Sequence, residues 1–272
     1  MVANWLSSGM DFIPRWNERT MRQHSMSKPA GFTVVELLVV CGVVAILASL
    51  LLPPATRSRS KARNTACVNL LRQIGVGLQM YLQDNQSYPP LTDSDNETIC
   101  FERLYPYYPI GWTNAAWNCP EYVSRNGILS RDLVVKHSLG ISYAYNNMGV
   151  TSWHGSPESI HQLRLGLGHL LRNSEKEARV ATPSEIYAVA DARCLVNQKA
   201  IAGCIKMTPW LVHDEAPALH GQHFNVLFCD GHVGLVLSKD YLYPPRTASN
   251  WNNDHQPHPE AWAPRWMWAV QN

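Results

Sequence analysis

From Phe32 to Leu52 the chain reads FTVVELLVVCGVVAILASLLL, 21 residues carrying a single charge, Glu36. A helix rises about 1.5 Å per residue, so a run of this length covers roughly 30 Å, the hydrocarbon thickness of a bilayer. The pattern predicts a transmembrane helix over 32–52. Beyond Pro53-Pro54 the apolar positions become periodic. Cys67, Leu70, Leu71, Ile74, Leu78, Tyr81 and Leu82 share one helical face, and Asn69, Arg72, Gln73, Gln79, Gln83 and Asp84 lie off it. Ser87-Tyr88-Pro89-Pro90 stops the pattern, because proline cannot continue a helix and biases its predecessor away from helical backbone. One helix is therefore predicted from Phe32 to about Asp84, apolar in its first half and amphipathic in its second. Pro53-Pro54 is expected to kink or break it.

The remainder changes character. Strands are predicted over Ile186–Ala190 after a Pro183-Ser184 turn, over Phe224–Cys229 and over His232–Leu237. Between the last two, Asp230-Gly231 is a two-residue type I′ hairpin signal in which Gly231 supplies a positive φ. Ten tryptophans and eleven tyrosines point to an aromatic-rich domain that contains β structure. The expected class is α+β: a long N-terminal helix packed on an antiparallel-sheet head. The chain divides into a leader (1–31), the membrane helix (32–52), its amphipathic extension (53–86) and a head (87–272) of roughly 185 residues, enough to bury a core. A net charge of +2 argues against a nucleic-acid binder, which would show a basic face.

Glu36 gives the apolar run its meaning. Carboxylates inside membrane segments are costly and need partners. The string GFTVVELL, followed by Pro53, resembles the N-terminus of type IV prepilins and type II secretion pseudopilins. The resemblance implies that a prepilin peptidase cuts between Gly31 and Phe32 and methylates the new Phe32 amine. It also implies that Glu36 pairs with the positive N-terminus of a neighbouring copy or related pseudopilin during assembly. MSKPAG, from Met26 to Gly31, has the form of a short basic leader with Lys28 as its charge. Starts at Met26 or Met21 and a longer leader all remain open. Basic residues flank the run on both sides (Arg15, Arg19, Arg22 and Lys28 before it, Arg57, Arg59, Lys61, Arg63 and Arg72 after it), so charge does not orient it. The resemblance places it in the inner membrane as a single pass, N-terminus cytoplasmic and head periplasmic. The alternatives are an uncleaved signal anchor and an ordinary secretory signal, whose apolar core is about 7–15 residues without an acid.

A second resemblance lies in the head. His220, nine intervening residues, then Asp230-Gly231 (HGQHFNVLFCDGHVGLV) is similar to the motif of a prepilin-associated domain family. WNCP (117–120), ISYAYNN (141–147), ATPSEIYAVAD (181–191) and SNWNNDHQPHPEAW (249–262) resemble its segments in the same order. In this setting His220 either hydrogen-bonds across the strand pair or ligates a metal, and Asp191 caps a loop at the end of its strand. Cys229 departs from the small residue usual in that family and is expected to make a core contact.

Asp254, His255, His258 and Glu260 have metal-ligand chemistry within seven residues, calcium favouring oxygen and zinc favouring nitrogen. Pro257 and Pro259 stiffen the stretch, and a solvated, tryptophan-anchored tail is the competing reading. No cofactor is expected, with a divalent ion in the head as the open alternative. Of seven cysteines, Cys41 falls in the apolar run and six lie in a region where disulfides are permitted. Fifteen connectivities are open to six cysteines; Cys194–Cys204 and Cys100–Cys119 are the expected pairs, leaving Cys67 and Cys229 unpaired. No nucleophile elbow, phosphate-binding glycine loop or HExxH helix is present. The expected function is that of a non-enzymatic prepilin-like subunit of a type II secretion or type IV pilus-like filament. The alternatives are a membrane-tethered binding module that never polymerises and a metal-dependent enzyme built on His220, Asp230 and the tail histidines.

Overall fold

The computed structural model describes residues 31–91, 99–111, 114–126, 142–151, 164–168, 174–191, 194–196, 200–202, 220–241 and 243–262. Contacts divide the chain into two units, Met1–Leu51 and Leu52–Asn272. Helix α1 spans Val34–Asn85. It is helical through Pro53 and Pro54, so the expected break does not occur. It ends at Asn85, whose side-chain amide donates to the Tyr81 carbonyl, and Gln86 turns the chain away with φ 54°.

In the first unit the apolar side chains from Phe32 to Leu47 point to solvent, with Phe32 76%, Val34 73% and Leu38 66% exposed. A contiguous apolar surface of this kind marks an interaction face rather than a finished exterior. Among the described residues no helix is long and apolar enough to cross a membrane. The described side chains of this run stop at Ser49.

The second unit is built on the amphipathic half of α1. Cys67, Leu71, Ile74, Leu78 and Leu82 are all buried, as their spacing predicts, while Asn69, Arg72, Gln73, Gln83 and Asp84 are exposed. That face packs against an aromatic cluster from the short helix α2 (Cys100–Arg103), helix α3 (Pro120–Asn126) and the loop between them. Trp117 sits at its centre, edge-on to Phe101 at 5.5 Å and tilted against Tyr108 at 4.9 Å.

Beside this cluster lies a four-stranded antiparallel sheet made of β1 (Tyr143–Tyr145), β2 (Tyr187–Asp191), β5 (His223–Phe228) and β6 (Val233–Leu237), in the order β1-β2-β5-β6. Side chains alternate between faces along a strand. Leu227 accordingly joins the α1 core, whereas Phe224 and Val226 join a second cluster with Tyr241, Ala248 and Trp251 of the helices Ser238–Tyr241 and Pro244–Trp251. The sheet is thus covered on both faces. An unforeseen pair, β3 (Cys194–Val196) and β4 (Ala200–Ala202), forms a separate two-stranded ribbon.

The β5–β6 connection departs from the two-residue turn. Phe228 N–H donates to the His232 carbonyl and Gly231 N–H to the Phe228 carbonyl, enclosing three residues, Cys229 to Gly231. Only Gly231 has a positive φ, 93°, whereas a type I′ turn needs two such residues. Asp230 instead accepts from His232 N–H at 3.0 Å, a local turn of the kind aspartate favours. This turn rests on α1: Gln79 Nε2 donates to the Cys229 carbonyl at 2.7 Å, and a Cβ on Gly75 would lie 2.7 Å from Leu227 Cδ1. Gly75 therefore permits the hairpin to approach the helix.

Candidate functional site

The first site is the start of α1. Thr33 precedes the first helical residue and Glu36 is the third. Thr33 N–H and its hydroxyl each donate to Glu36 Oε2 at 2.8 Å, and Glu36 N–H faces Thr33 Oγ1 at 3.3 Å. This reciprocal arrangement is a capping box, which satisfies amide groups that a helix end leaves without intrahelical partners. The Thr-x-x-Glu spacing before an apolar run was legible in the sequence. Glu36 therefore has a partner in its own chain. Gly31 and Phe32 lie just outside the helix, both exposed.

The second site is in the head, and the His-x9-Asp-Gly spacing does not form it. His220 lies just before β5 and Asp230-Gly231 just after it, and six extended residues at about 3.3 Å each separate them by roughly 20 Å. Asp230 and Gly231 shape the turn, with His232 Nδ1 2.6 Å from Asp230 Oδ1. His220 points its Nε2 between Cys119 Sγ at 3.4 Å and Asp191 Oδ2 at 3.6 Å.

Cys119 is disulfide-bonded to Cys67, with their Cα atoms 4.9 Å apart. This overturns the expected Cys100–Cys119 pair and the unpaired Cys67. Packing of α1 against the WNCP segment brings residues 67 and 119 together, while Cys100 is a buried free thiol in the same core. Cys229 is also buried and free, as expected, and burial pushes its thiol up to about 12. Cys204 lies outside the described residues. The loop carrying Cys119 is held to the start of β1: Cys119 N–H donates to Ser142 Oγ at 2.7 Å and Ser142 N–H to Asn118 Oδ1 at 3.0 Å.

Asp191 is the last residue of β2 and reaches across to β5; the loop it is expected to cap, residues 192–193, lies outside the described residues. Its Oδ2 accepts Asn225 N–H at 2.8 Å, and its Oδ1 finds no hydrogen-bond partner among the described residues. Its side chain is 0% exposed. Burial pushes the carboxyl up from 3.8 to about 7, against the opposing pull of the Asn225 hydrogen bonds. Because the folded state holds this proton more tightly than the unfolded chain, stability falls as pH rises from about 3.8 to about 7. Asp191→Asn removes that ionisation and keeps an acceptor oxygen. It is expected to melt at least about 3 °C above wild type at pH 8, the shift of roughly 1 kcal/mol in a domain of this size, and no higher than wild type at pH 3. Thermal unfolding at the two pH values checks this; an equal shift at both would exclude the ionisation of Asp191 as its cause.

The tail residues make an ion-pair network. His258 Nε2 is 2.6 Å from Asp254 Oδ2 and its Nδ1 2.7 Å from Glu260 Oε1, while His255 turns away to Glu185 at 3.0 Å. Desolvation alone would lower the His258 pKa, but its two carboxylate partners outweigh it and the net shift is upward; Glu260 is held low by its bond to His258. The neighbouring asparagines are structural. Asn252 Oδ1 accepts Val150 N–H, and Asn253 Nδ2 donates to the carbonyls of Arg164 and Gly166. Trp251 is wholly buried, the anchor expected of the tail.

The chain is 38% identical over 63 residues to the type IV wide pilus major component PilA4 of Thermus thermophilus, covering 23% of this chain and 48% of that one. It is 36% identical over 64 residues to the type II secretion system core protein G of Klebsiella pneumoniae (24% and 46%), and 35% identical over 81 residues to that of Vibrio cholerae (30% and 55%). Over those stretches the chain is pilin- and pseudopilin-like. It spans about half the length of the curated relatives it matches. Their names are those of pilus and secretion components. No family model matches the chain, and no solved structure does.

Proposed function

We propose that the chain is a prepilin-like, pseudopilin-type subunit, cut between Gly31 and Phe32 by a prepilin peptidase and assembled with copies of itself or related pseudopilins into a pilus-like filament. The observation that carries this is the apolar sleeve of α1, exposed from Phe32 to Leu47, with one acid, Glu36, in its first turn. The identity to PilA4 and to secretion protein G supports the same reading. Before assembly the run over 32–52 resides in the inner membrane, with the head on the far side. During assembly it packs against neighbouring helices, which bury the sleeve. The role is non-catalytic and requires no cofactor.

Glu36 then has two partners in turn: Thr33 of its own chain, and the Phe32 amine of the adjoining subunit. In an apolar bundle an amine without a counter-charge costs about 3 kcal/mol or more, roughly a hundredfold in subunit affinity. Glu36→Ala is therefore expected to insert and to be processed while filament yield falls on that order. The deciding measurement is mass spectrometry of the native membrane fraction, which should find a chain beginning at N-methyl-Phe32. A chain that keeps its leader beside an active peptidase, with Glu36→Ala indifferent, would make it a tethered, non-polymerising module.

A further inference from the structure

The cluster around the disulfide has a composition that a disulfide alone does not use. Among the described residues, one group of His, Cys, Asp or Glu side chains could hold a metal ion: Cys67, Cys119 and His220, whose ligand atoms all lie within 4.8 Å of one another. They come from three separate parts of the second unit: the buried face of α1, the WNCP segment and the lead-in to β5. Both cysteines are 0% exposed, and the His220 side chain is 3% exposed. Asp191 Oδ2 stands 3.6 Å from the same His220 nitrogen that faces Cys119, and its other oxygen is buried without a hydrogen-bond partner among the described residues.

We propose that, when Cys67 and Cys119 are reduced, they bind one zinc ion together with His220, with the Asp191 carboxylate as the fourth ligand. Disulfide and zinc are then alternative cross-links at one place in the fold. Zinc takes thiolate sulfur at about 2.3 Å and imidazole nitrogen at about 2.0 Å in a tetrahedron. Neighbouring ligand atoms in such a tetrahedron stand about 3.3–3.8 Å apart. The Cys119–His220 and His220–Asp191 separations, 3.4 and 3.6 Å, already fall in that range. The two sulfurs must part from bonding distance to about 3.8 Å, and the Asp191 carboxylate, which lies outside the group of three mutually close ligands, must swing from His220 toward the ion. The Asn225 N–H on Asp191 Oδ2 supplies the outer-shell hydrogen bond that orients a ligating carboxylate. Two thiolates neutralise the dication, and the one negative charge that the Asp191 carboxylate adds is met by the Asn225 N–H on its Oδ2.

The interconversion balances. A disulfide-bearing oxidant takes the electron pair from the zinc-bound thiolates. Its sulfurs leave as two thiols with two protons, the Cys67–Cys119 bond forms, and zinc departs as Zn2+. In reverse, a trialkylphosphine takes up the oxygen of one water to become its oxide and leaves two protein thiols, which release two protons on binding zinc. In either form the link would hold α1, the WNCP segment and the lead-in to β5 together. This reading is independent of filament assembly.

The test uses the full chain in detergent, reduced by a phosphine with zinc present throughout, then freed of excess metal. Expected is one equivalent of zinc in the reduced chain beyond that in the oxidised chain, and with cobalt substituted for zinc, a thiolate-to-metal charge-transfer band. His220→Ala should lose both, and His220→Cys should restore them. The double variant Cys67→Ser/Cys119→Ser, checked for native near-ultraviolet circular dichroism, sets the background from the other histidines. The proposal is overturned if the reduced chain binds no more zinc than the oxidised chain or the serine variant. It is equally overturned if reduction unfolds the head despite the zinc, or if His220→Ala retains the ion.

Discussion

Replacing Cys67 and Cys119 together by serine is expected to lower the stability of the head by about 4 kcal/mol. The two residues are 52 apart in sequence. In the chain-entropy account, closing a loop of that length removes about 14 cal/mol/K from the unfolded ensemble, roughly 4 kcal/mol at 25 °C. The loop contains the end of α1, α2 and Trp117, so an unfolded chain without the bond regains the freedom of a segment that carries much of the α1 core. Guanidinium unfolding of the oxidised chain and the double variant, in chelator, measures the difference. Identical midpoints would show that the loop is already ordered in the denatured ensemble and that the bond adds nothing.

Trp251→Ala is expected to cost about 3–5 kcal/mol, the range for deleting a large buried aromatic. Trp251 is 0% exposed, 4.9 Å from the Tyr241 ring and edge-on to Tyr187 at 5.4 Å. Its carbonyl also accepts Asn146 Nδ2 at 2.8 Å, a bond the substitution leaves in place, so the loss isolates the side chain. The indole N–H is buried without a hydrogen-bond partner among the described residues. Trp251→Phe removes that unsatisfied donor with much of the ring retained, and should cost well under half as much. Far-ultraviolet circular dichroism during denaturation checks both. A loss below about 1 kcal/mol for alanine, the ordinary size of a point-mutation effect, would mean that the second face of the sheet is not packed by the tail.

The parts of this architecture that local periodicity encodes are readable from residue order. The buried face of α1 follows from the 3.6-residue spacing of Cys67 to Leu82, and the strand ends at 186–191 and 223–237 shift by only one residue from their predicted places. Features that depend on two distant segments meeting are not. Cys67 finds Cys119 because α1 packs on the WNCP loop, and nothing in the spacing of seven cysteines expresses that packing. His220 and Asp191 are 29 positions apart in the chain yet 3.6 Å apart in the fold, joined through the pairing of β2 with β5. The three-residue turn escapes for another reason: Asp-Gly suits two geometries, and contact of the turn with Gly75 and Gln79 selects between them. Thr33 is a different case. Its spacing to Glu36 is visible in the sequence, but an acid in an apolar run draws attention to partners on other chains before the neighbour three residues away.

The capping box also bears on how a cut at Gly31/Phe32 would affect the adjoining helix. The amide that Glu36 accepts belongs to Thr33, and its nitrogen is bonded to the Phe32 carbonyl carbon, one peptide link beyond the cut. Cleavage creates a new amine on Phe32 but leaves every atom of the cap untouched. The costly step in forming a helix is ordering its first turn, with several dihedrals fixed for one hydrogen bond. Here that turn is closed by side chains on the retained side of the bond. Severing the leader there would therefore not unravel α1, and the new terminus would be mounted on a turn that is already wound.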